Sequence, residues 1–238
     1  MGPPKQRSVL AVLLHQDGRP MSYGALVEAV GGAEVPAHVR NLVQKYVSGL
    51  RRALAGGAGG PELTWTGSGY RLSGARIDDV AERRALVDAA VAARDAGDRA
   101  RAYELVRRAE ELWRGEYAEG LTGPYLDAER RRWAEKRLLV LEARLASEIE
   151  RGRAYECVHE LVRQVAAHPL REGLTALLML ALYRAGRSTD ALLAYEDARR
   201  RIAESIGADP GPGLRELHRR ILRQDPALLP DAVHAPAG

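Results

Sequence analysis

Asn41-Leu42-Val43-Gln44-Lys45-Tyr46-Val47-Ser48-Gly49-Leu50-Arg51-Arg52-Ala53-Leu54, with Leu63-Thr64-Trp65-Thr66-Gly67-Ser68-Gly69-Tyr70-Arg71-Leu72 close behind it, is the stretch on which the fold turns. After Pro36, apolar residues recur at steps of three and four: Val39, Leu42, Val43, Tyr46, Val47, Leu50 and Leu54. That period places them on one buried stripe of an amphipathic helix. The opposite face carries Arg40, Asn41, Gln44, Lys45, Ser48, Arg51 and Arg52, and no carboxylate interrupts it. A solvated helix face ordinarily mixes signs, because acid and base four residues apart support each other. A face made only of cations, amides and a hydroxyl fits an anionic partner. Arg, Lys, Asn and Gln are also the side chains that fork hydrogen bonds onto guanine and adenine edges in a major groove.

The following residues sharpen this reading. Residues 55–61 form a glycine-rich break, after which two short alternating runs, 63–66 and 70–72, flank Gly67-Ser68-Gly69 and predict a hairpin. Upstream, residues 5–15 predict a first helix with Val9, Leu10, Val12, Leu13 and Leu14 inside, and Ser22 is placed to cap a second helix running to about Val30. Three helices and a hairpin make a winged helix-turn-helix. Gly67 and Gly69 do not form a dinucleotide fingerprint, since that needs a strand before and a helix after, and here strand residues lie on both sides.

Charge falls where this reading needs it. Residues 1–75 hold eight basic and four acidic side chains, whereas 76–238 hold 28 of each, so the first segment carries the whole net charge of +4. A single cysteine, Cys157, excludes an internal disulfide and, beside Val158, Leu161 and Val165, is expected to be packed in a core. The most apolar run, 174–183, is too short to span a bilayer, and no cationic leader precedes an apolar stretch at the start. A cytoplasmic protein with no membrane association is expected.

From Asp78 onward, helix follows helix between glycine turns at Gly97, Gly152 and Gly186. Gly152 and Gly186 are 34 residues apart, the length of a tetratricopeptide helix pair, and Ala198 and Pro210 fall at that repeat's small-residue and closing-proline positions. The predicted buried stripes are Leu138, Leu141, Leu145 and Ile149 in one helix and Ala191, Tyr195, Ala198, Ile202 and Ile206 in another. The apolar run 174–183 should be central. These patterns predict an all-α repeat of about seven helices, an architecture suited to protein recognition. The runs Arg130-Arg131-Arg132 and Arg199-Arg200-Arg201 have carboxylates within a turn and are expected to be solvated, ion-paired faces.

The fold class is therefore mostly α: an N-terminal winged helix-turn-helix over 1–75, a tetratricopeptide-like all-α domain over 76–225, and a disordered tail over 226–238. No catalytic, cofactor-binding or metal-binding residues are expected. The six histidines are scattered without HExxH or CxxC spacing, and Gly56 to Gly60 lacks the Gly-Lys-Ser/Thr of a phosphate loop. Ser68 lacks a hydrolase elbow.

Three groups of residues resemble one family. Lys5-Gln6-Arg7-Ser8-Val9-Leu10-Ala11-Val12-Leu13-Leu14 joins the helix 41–54 and the wing 66–72; further on stand His168-Pro169-Leu170-Arg171-Glu172, the run 178–187, and Asp209-Pro210-Gly211-Pro212-Gly213-Leu214-Arg215-Glu216-Leu217-His218. Together they resemble the Streptomyces antibiotic regulatory protein family, in which an OmpR-type winged helix precedes a bacterial transcriptional activation domain. Two positions depart from the family pattern. It carries several short strands ahead of the first helix, for which Met1-Gly2-Pro3-Pro4-Lys5 offers no counterpart, and it carries arginine at Gly49. The resemblance implies a non-enzymatic, sequence-specific activator of a secondary-metabolite gene cluster. It would bind direct repeats in double-stranded promoter DNA as a homodimer and recruit RNA polymerase. Arg40, Asn41, Gln44, Lys45 and Ser48 are expected at base edges, and Arg51, Arg52, Arg71, Lys5, Gln6 and Arg7 at phosphates. The alternative is a protein adaptor whose winged helix, without its leading strands, does not bind DNA.

Overall fold

The computed structural model describes residues 2–32, 37–55, 60–75, 77–113 and 115–229, with the side chains of 37–40 also outside the description. The chain forms two compact units, Met1–Ala96 with Arg107–Leu138, and Gly97–Val106 with Leu139–Gly238.

In the first unit, α1 (Pro4–His15), β1 (Met21–Ser22), α2 (Tyr23–Gly31), α3 (Ala37–Leu54), β2 (Glu62–Trp65) and β3 (Gly69–Ser73) follow in order. Proline sits at the start of α1, where its missing N–H costs nothing. Ser22 caps α2 as expected, its Oγ accepting from the Ala25 N–H at 3.2 Å. The sheet is antiparallel in the order β1-β3-β2, with Met21 opposite Tyr70 and Leu63 opposite Leu72. β1 was not expected from the sequence. Gly69 makes that pairing possible: a Cβ there would lie 1.9 Å from the Met21 carbonyl oxygen.

One core holds these elements together. Val9, Val12 and Leu13 of α1, Leu26 and Val30 of α2, Val43, Val47 and Leu50 of α3, and Leu63 and Leu72 of the hairpin are buried with Leu126, which lies further along the chain. The helical stripe read from the sequence is thus the inner face of α3, apart from Val39, whose side chain is outside the described residues. α4 (Asp78–Asp95), the end of α5 (Arg99–Glu111) and the start of α6 (Pro124–Glu150) complete this unit. Here Arg83 is buried between the rings of Trp113 and Trp133, 4.2 and 4.5 Å from their centres, and burial lowers its pKa.

The second unit contains α7 (Ala154–Ala167), α8 (Glu172–Arg184), α9 (Ser188–Ile206) and α10 (Pro212–Leu222), with the start of α5 and the end of α6. Seven α-helices therefore follow Asp78 among the described residues. Gly152 and Gly186 adopt φ of +83° and +76°, the left-handed turn conformation that explains glycine at this spacing. α8 packs on α7, α9 and α10, as its apolar composition predicts, with Leu174, Met179 and Ala181 fully buried. Cys157 is buried too, and burial pushes its thiol up to about 11. Paired polar groups join the helices. Glu172 accepts the Gly211 N–H on both carboxylate oxygens at 3.0 and 2.8 Å, and Arg184 donates to the carbonyls of Leu228 and Ile149 at 2.7 and 3.0 Å.

Three expectations need correction. Ile206 is 65% exposed rather than in the α9 stripe, because Gly207 turns the chain out of the helix immediately after it. Arg130 is not a solvated side chain: its guanidinium donates to the carbonyls of Tyr117, Ala118 and Leu121 and holds the turn before α6. The expected tail from 226 begins with a 3₁₀ turn, Pro226–Leu228, capped by Asp225 and burying Leu228. Residues 230–238 lie outside the described residues. Among those described, no helix is long and apolar enough to cross a membrane.

Candidate nucleic-acid interface

The outward face of α3 brings Asn41, Gln44, Lys45, Ser48 and Arg52 together, all exposed, over the buried Val43, Val47 and Leu50. Asn41, Gln44, Lys45 and Ser48 are three or four residues apart and so stand on adjoining turns. The Ser48 Oγ donates to the Gln44 carbonyl at 3.0 Å, leaving its lone pairs as acceptors for a partner. Arg40 precedes them in α3, with its side chain outside the described residues. Among the described residues Lys45 and Arg52 have no ion-pair partner.

Other expected contacts already have partners inside the protein. The Arg51 Nε donates to the Leu63 carbonyl at 2.8 Å, and its guanidinium lies 5.7 Å from the centre of the Tyr70 ring. It therefore ties α3 to both strands of the wing. The Lys5 Nζ donates to the Val30 carbonyl at 2.9 Å, satisfying a carbonyl at the end of α2. Gln6 is half-buried beside α3: a Cβ at Gly49 would meet its Oε1 at 2.9 Å, so this glycine makes room for the amide of α1. Arg7 and Arg71 are exposed, and Arg71 stands on the opposite face of β3 from the buried Tyr70 and Leu72.

Two features escaped the sequence reading. Trp65 is 50% exposed at the end of β2, its ring 5.0 Å from that of Tyr70. Alternation puts it on the face of the buried Leu63, but the strand ends there. The second feature is a polar cluster around His15. Its Nε2 lies 3.0 Å from the Glu129 carboxylate and its Nδ1 3.0 Å from the Tyr117 hydroxyl, while Gln16 donates to the Tyr125 hydroxyl at 2.9 Å. Glu129 is 3% exposed and is also paired with Arg132. Burial pushes the Tyr117 phenol up to about 12, so it stays neutral in this network. The cluster fastens the end of α1 to the start of α6. No local pattern signals contacts more than one hundred residues apart.

A helix with a cationic and amide outer face, backed by a three-stranded wing and followed by a helical repeat, defines a winged-helix protein with a second, helical domain. Residues 2–72 match the family model described as "Transcriptional regulatory protein, C terminal", and residues 78–222 match "Bacterial transcriptional activator domain". The chain belongs to the Streptomyces antibiotic regulatory protein family of transcriptional regulators, of which these two modules are the hallmark. It is 45% identical to Regulatory protein AfsR of Streptomyces coelicolor over 95% of this chain, which corresponds to 23% of AfsR. It is 32% identical to Regulatory protein DnrI of Streptomyces peucetius, over 98% of this chain and 89% of DnrI. Its fold superposes on the solved structure of Mycobacterium tuberculosis EmbR in complex with a low affinity phosphopeptide, with a TM-score of 0.85 at 35% identity, covering 94% of this chain and 60% of that one. The chain thus spans less than a quarter of AfsR and more than half of EmbR.

Proposed function

We propose that this protein is a sequence-specific DNA-binding activator, with residues 1–75 as the DNA-binding module and 76–225 as the activating module. One observation carries the reading. The exposed face of α3 is populated by Asn41, Gln44, Lys45, Ser48 and Arg52 with no acid among them, beside a wing that presents Arg71. Arg40, Asn41, Gln44, Lys45 and Ser48 face the base edges of a major groove, where each bidentate pair contributes about 1–3 kcal/mol of discrimination. Arg7, Arg52 and Arg71 hold phosphates. Lys5, Gln6 and Arg51 act mainly by setting the angle of α3 against α1, α2 and the wing, since their polar atoms already lie against those elements.

The family implies the biological setting: a promoter of a secondary-metabolite gene cluster in the cytoplasm, bound as a homodimer on direct repeats, with recruitment of RNA polymerase. The chemistry is recognition rather than catalysis. Fluorescence anisotropy on a labelled fragment of the gene's own upstream region, across a salt series, tests the DNA reading. Retention that weakens linearly in log salt supports it. No retention at any salt leaves the adaptor reading in its place.

A further inference from the structure

Trp65 ends β2 with half of its surface in solvent, and its indole N–H has no hydrogen-bond partner among the described residues. The ring is nevertheless held in place. It meets the Tyr70 ring edge-on at 5.0 Å, and Tyr70 meets Tyr23 at 6.4 Å. The turn just beyond it is closed by the Thr66 N–H, which donates to the Gly69 carbonyl at 2.9 Å. A side chain fixed beforehand loses less freedom in any contact it makes. Tyr70 is buried beneath the covered half of the indole, and the other half is left open.

That open half borders the outer face of α3. Arg51 lies 5.7 Å from the centre of the same Tyr70 ring, so a guanidinium and an indole flank one tyrosine. Ser48 stands one turn back along α3 from Arg51, and Arg52 follows it, exposed and without an ion-pair partner among the described residues. The hairpin's one carboxylate, Glu62, is at the opposite end of β2 and on its other face. An apolar ring bordered by cations and a hydroxyl suits a partner that is anionic and also carries apolar surface. The backbone of duplex DNA has both, a phosphate beside every deoxyribose. A purely apolar protein surface would strip water from Arg51 and Arg52 and return no acceptor.

We infer that Trp65 is a further DNA contact: its open edge packs on deoxyribose rings of the backbone strand beside the groove that α3 reads, and its indole N–H donates to a phosphate oxygen of that strand. Sugar and phosphate are the same at every base pair, so this contact positions α3 without reading sequence. A neutral side chain displaces no counterion, so it adds affinity without adding salt dependence. Arg71 leaves the opposite face of the hairpin and makes a separate contact. Trp65 has this role only if α3 binds DNA.

Acrylamide quenching of tryptophan fluorescence in the full chain, with and without the upstream fragment, tests it and needs no variant. Of the three tryptophans Trp65 is the exposed one, Trp113 being half-buried and Trp133 buried. Saturating DNA should lower the quenching constant of the parent and leave that of Trp65→Leu unchanged. Trp65→Leu keeps an apolar cover on Tyr70 but loses the ring and its N–H. It should bind the upstream fragment and a random duplex roughly tenfold more weakly than the parent does, with the parental salt slope. Where the parent binds, three results would each overturn the role of Trp65 and leave the reading of α3 standing: quenching that DNA does not change, parental affinity in Trp65→Leu, or a loss confined to one sequence. A parent that binds neither duplex at any salt overturns both.

Discussion

Arg51 and Arg52 are neighbours in sequence, both exposed, yet the structure gives them different work. The Arg51 Nε donates to the Leu63 carbonyl at 2.8 Å and its guanidinium lies 5.7 Å from the Tyr70 ring centre, whereas Arg52 has no partner among the described residues. A hydrogen bond from a charged donor contributes about 1.5–3 kcal/mol. Arg51 is open to solvent, so the lower end of that range applies. The ring contact adds about 0.5 kcal/mol at an exposed site. Arg51→Ala should therefore destabilise by about 1–2 kcal/mol, which lowers Tm by roughly 2–8 °C in a chain of this length. Arg52→Ala should leave Tm within about 1 °C, because surface substitutions away from special contacts stay within about 0.5 kcal/mol. On DNA the order reverses. Arg52→Ala should reduce the slope of log affinity against log salt by about one, the signature of one lost phosphate. Arg51→Ala, measured where the protein is fully folded, should keep the parental slope. Calorimetry and a salt series of anisotropy titrations measure the two quantities independently. An Arg51→Ala protein with parental Tm and a slope reduced by one would refute the division of roles.

Further substitutions bear on the same scaffold. Gly69→Ala should break the β1–β3 pairing, since its Cβ would fall 1.9 Å from the Met21 carbonyl; a loss of about 3 kcal/mol or more in denaturant unfolding is expected. Gly49→Ala should instead stabilise by about 0.5 kcal/mol, because helix propensity improves and the atom it meets is the far end of the flexible Gln6; a lower midpoint in the same assay would show that Gln6 cannot move. Glu129→Ala removes the acceptor of His15 from a buried site, while the exposed Arg132 can turn to solvent, and should cost about 1–3 kcal/mol in the same assay. Burial raises the Cys157 thiol from 9.0 to about 11, so the native protein prefers the neutral form. Its contribution to stability is complete below pH 9 and declines between 9 and 11, and a thiol reagent at neutral pH should label the native protein far more slowly than the unfolded one.

Much of this arrangement was legible because it is local. The inner stripe of α3, the Ser22 cap, the hairpin around Gly67-Ser68-Gly69 and the paired turns at Gly152 and Gly186 each depend on residues a few positions apart. What stayed hidden depends on the partner. β1 is two residues long and exists because β3 lies beside it, so no run of alternating residues announces it. Lys5 and Arg51 read as phosphate contacts in the sequence and Arg130 as part of an ion-paired face, but each finds backbone carbonyls between nine and twenty-five residues away. The outer face of α3 was legible because its chemistry is carried by which residues are absent from it.

A sequence-specific regulator of this fold must read base edges with α3. A quantitative footprint of the upstream region with parental and Gln44→Ala proteins tests it most directly, because Gln44 is exposed in the middle of that face and holds no part of the core. One protected stretch is expected, which loses its edge over random DNA by about tenfold in the variant, with the salt slope unchanged. Equal weakening on every sequence, or protection indistinguishable from the parent's, would contradict it.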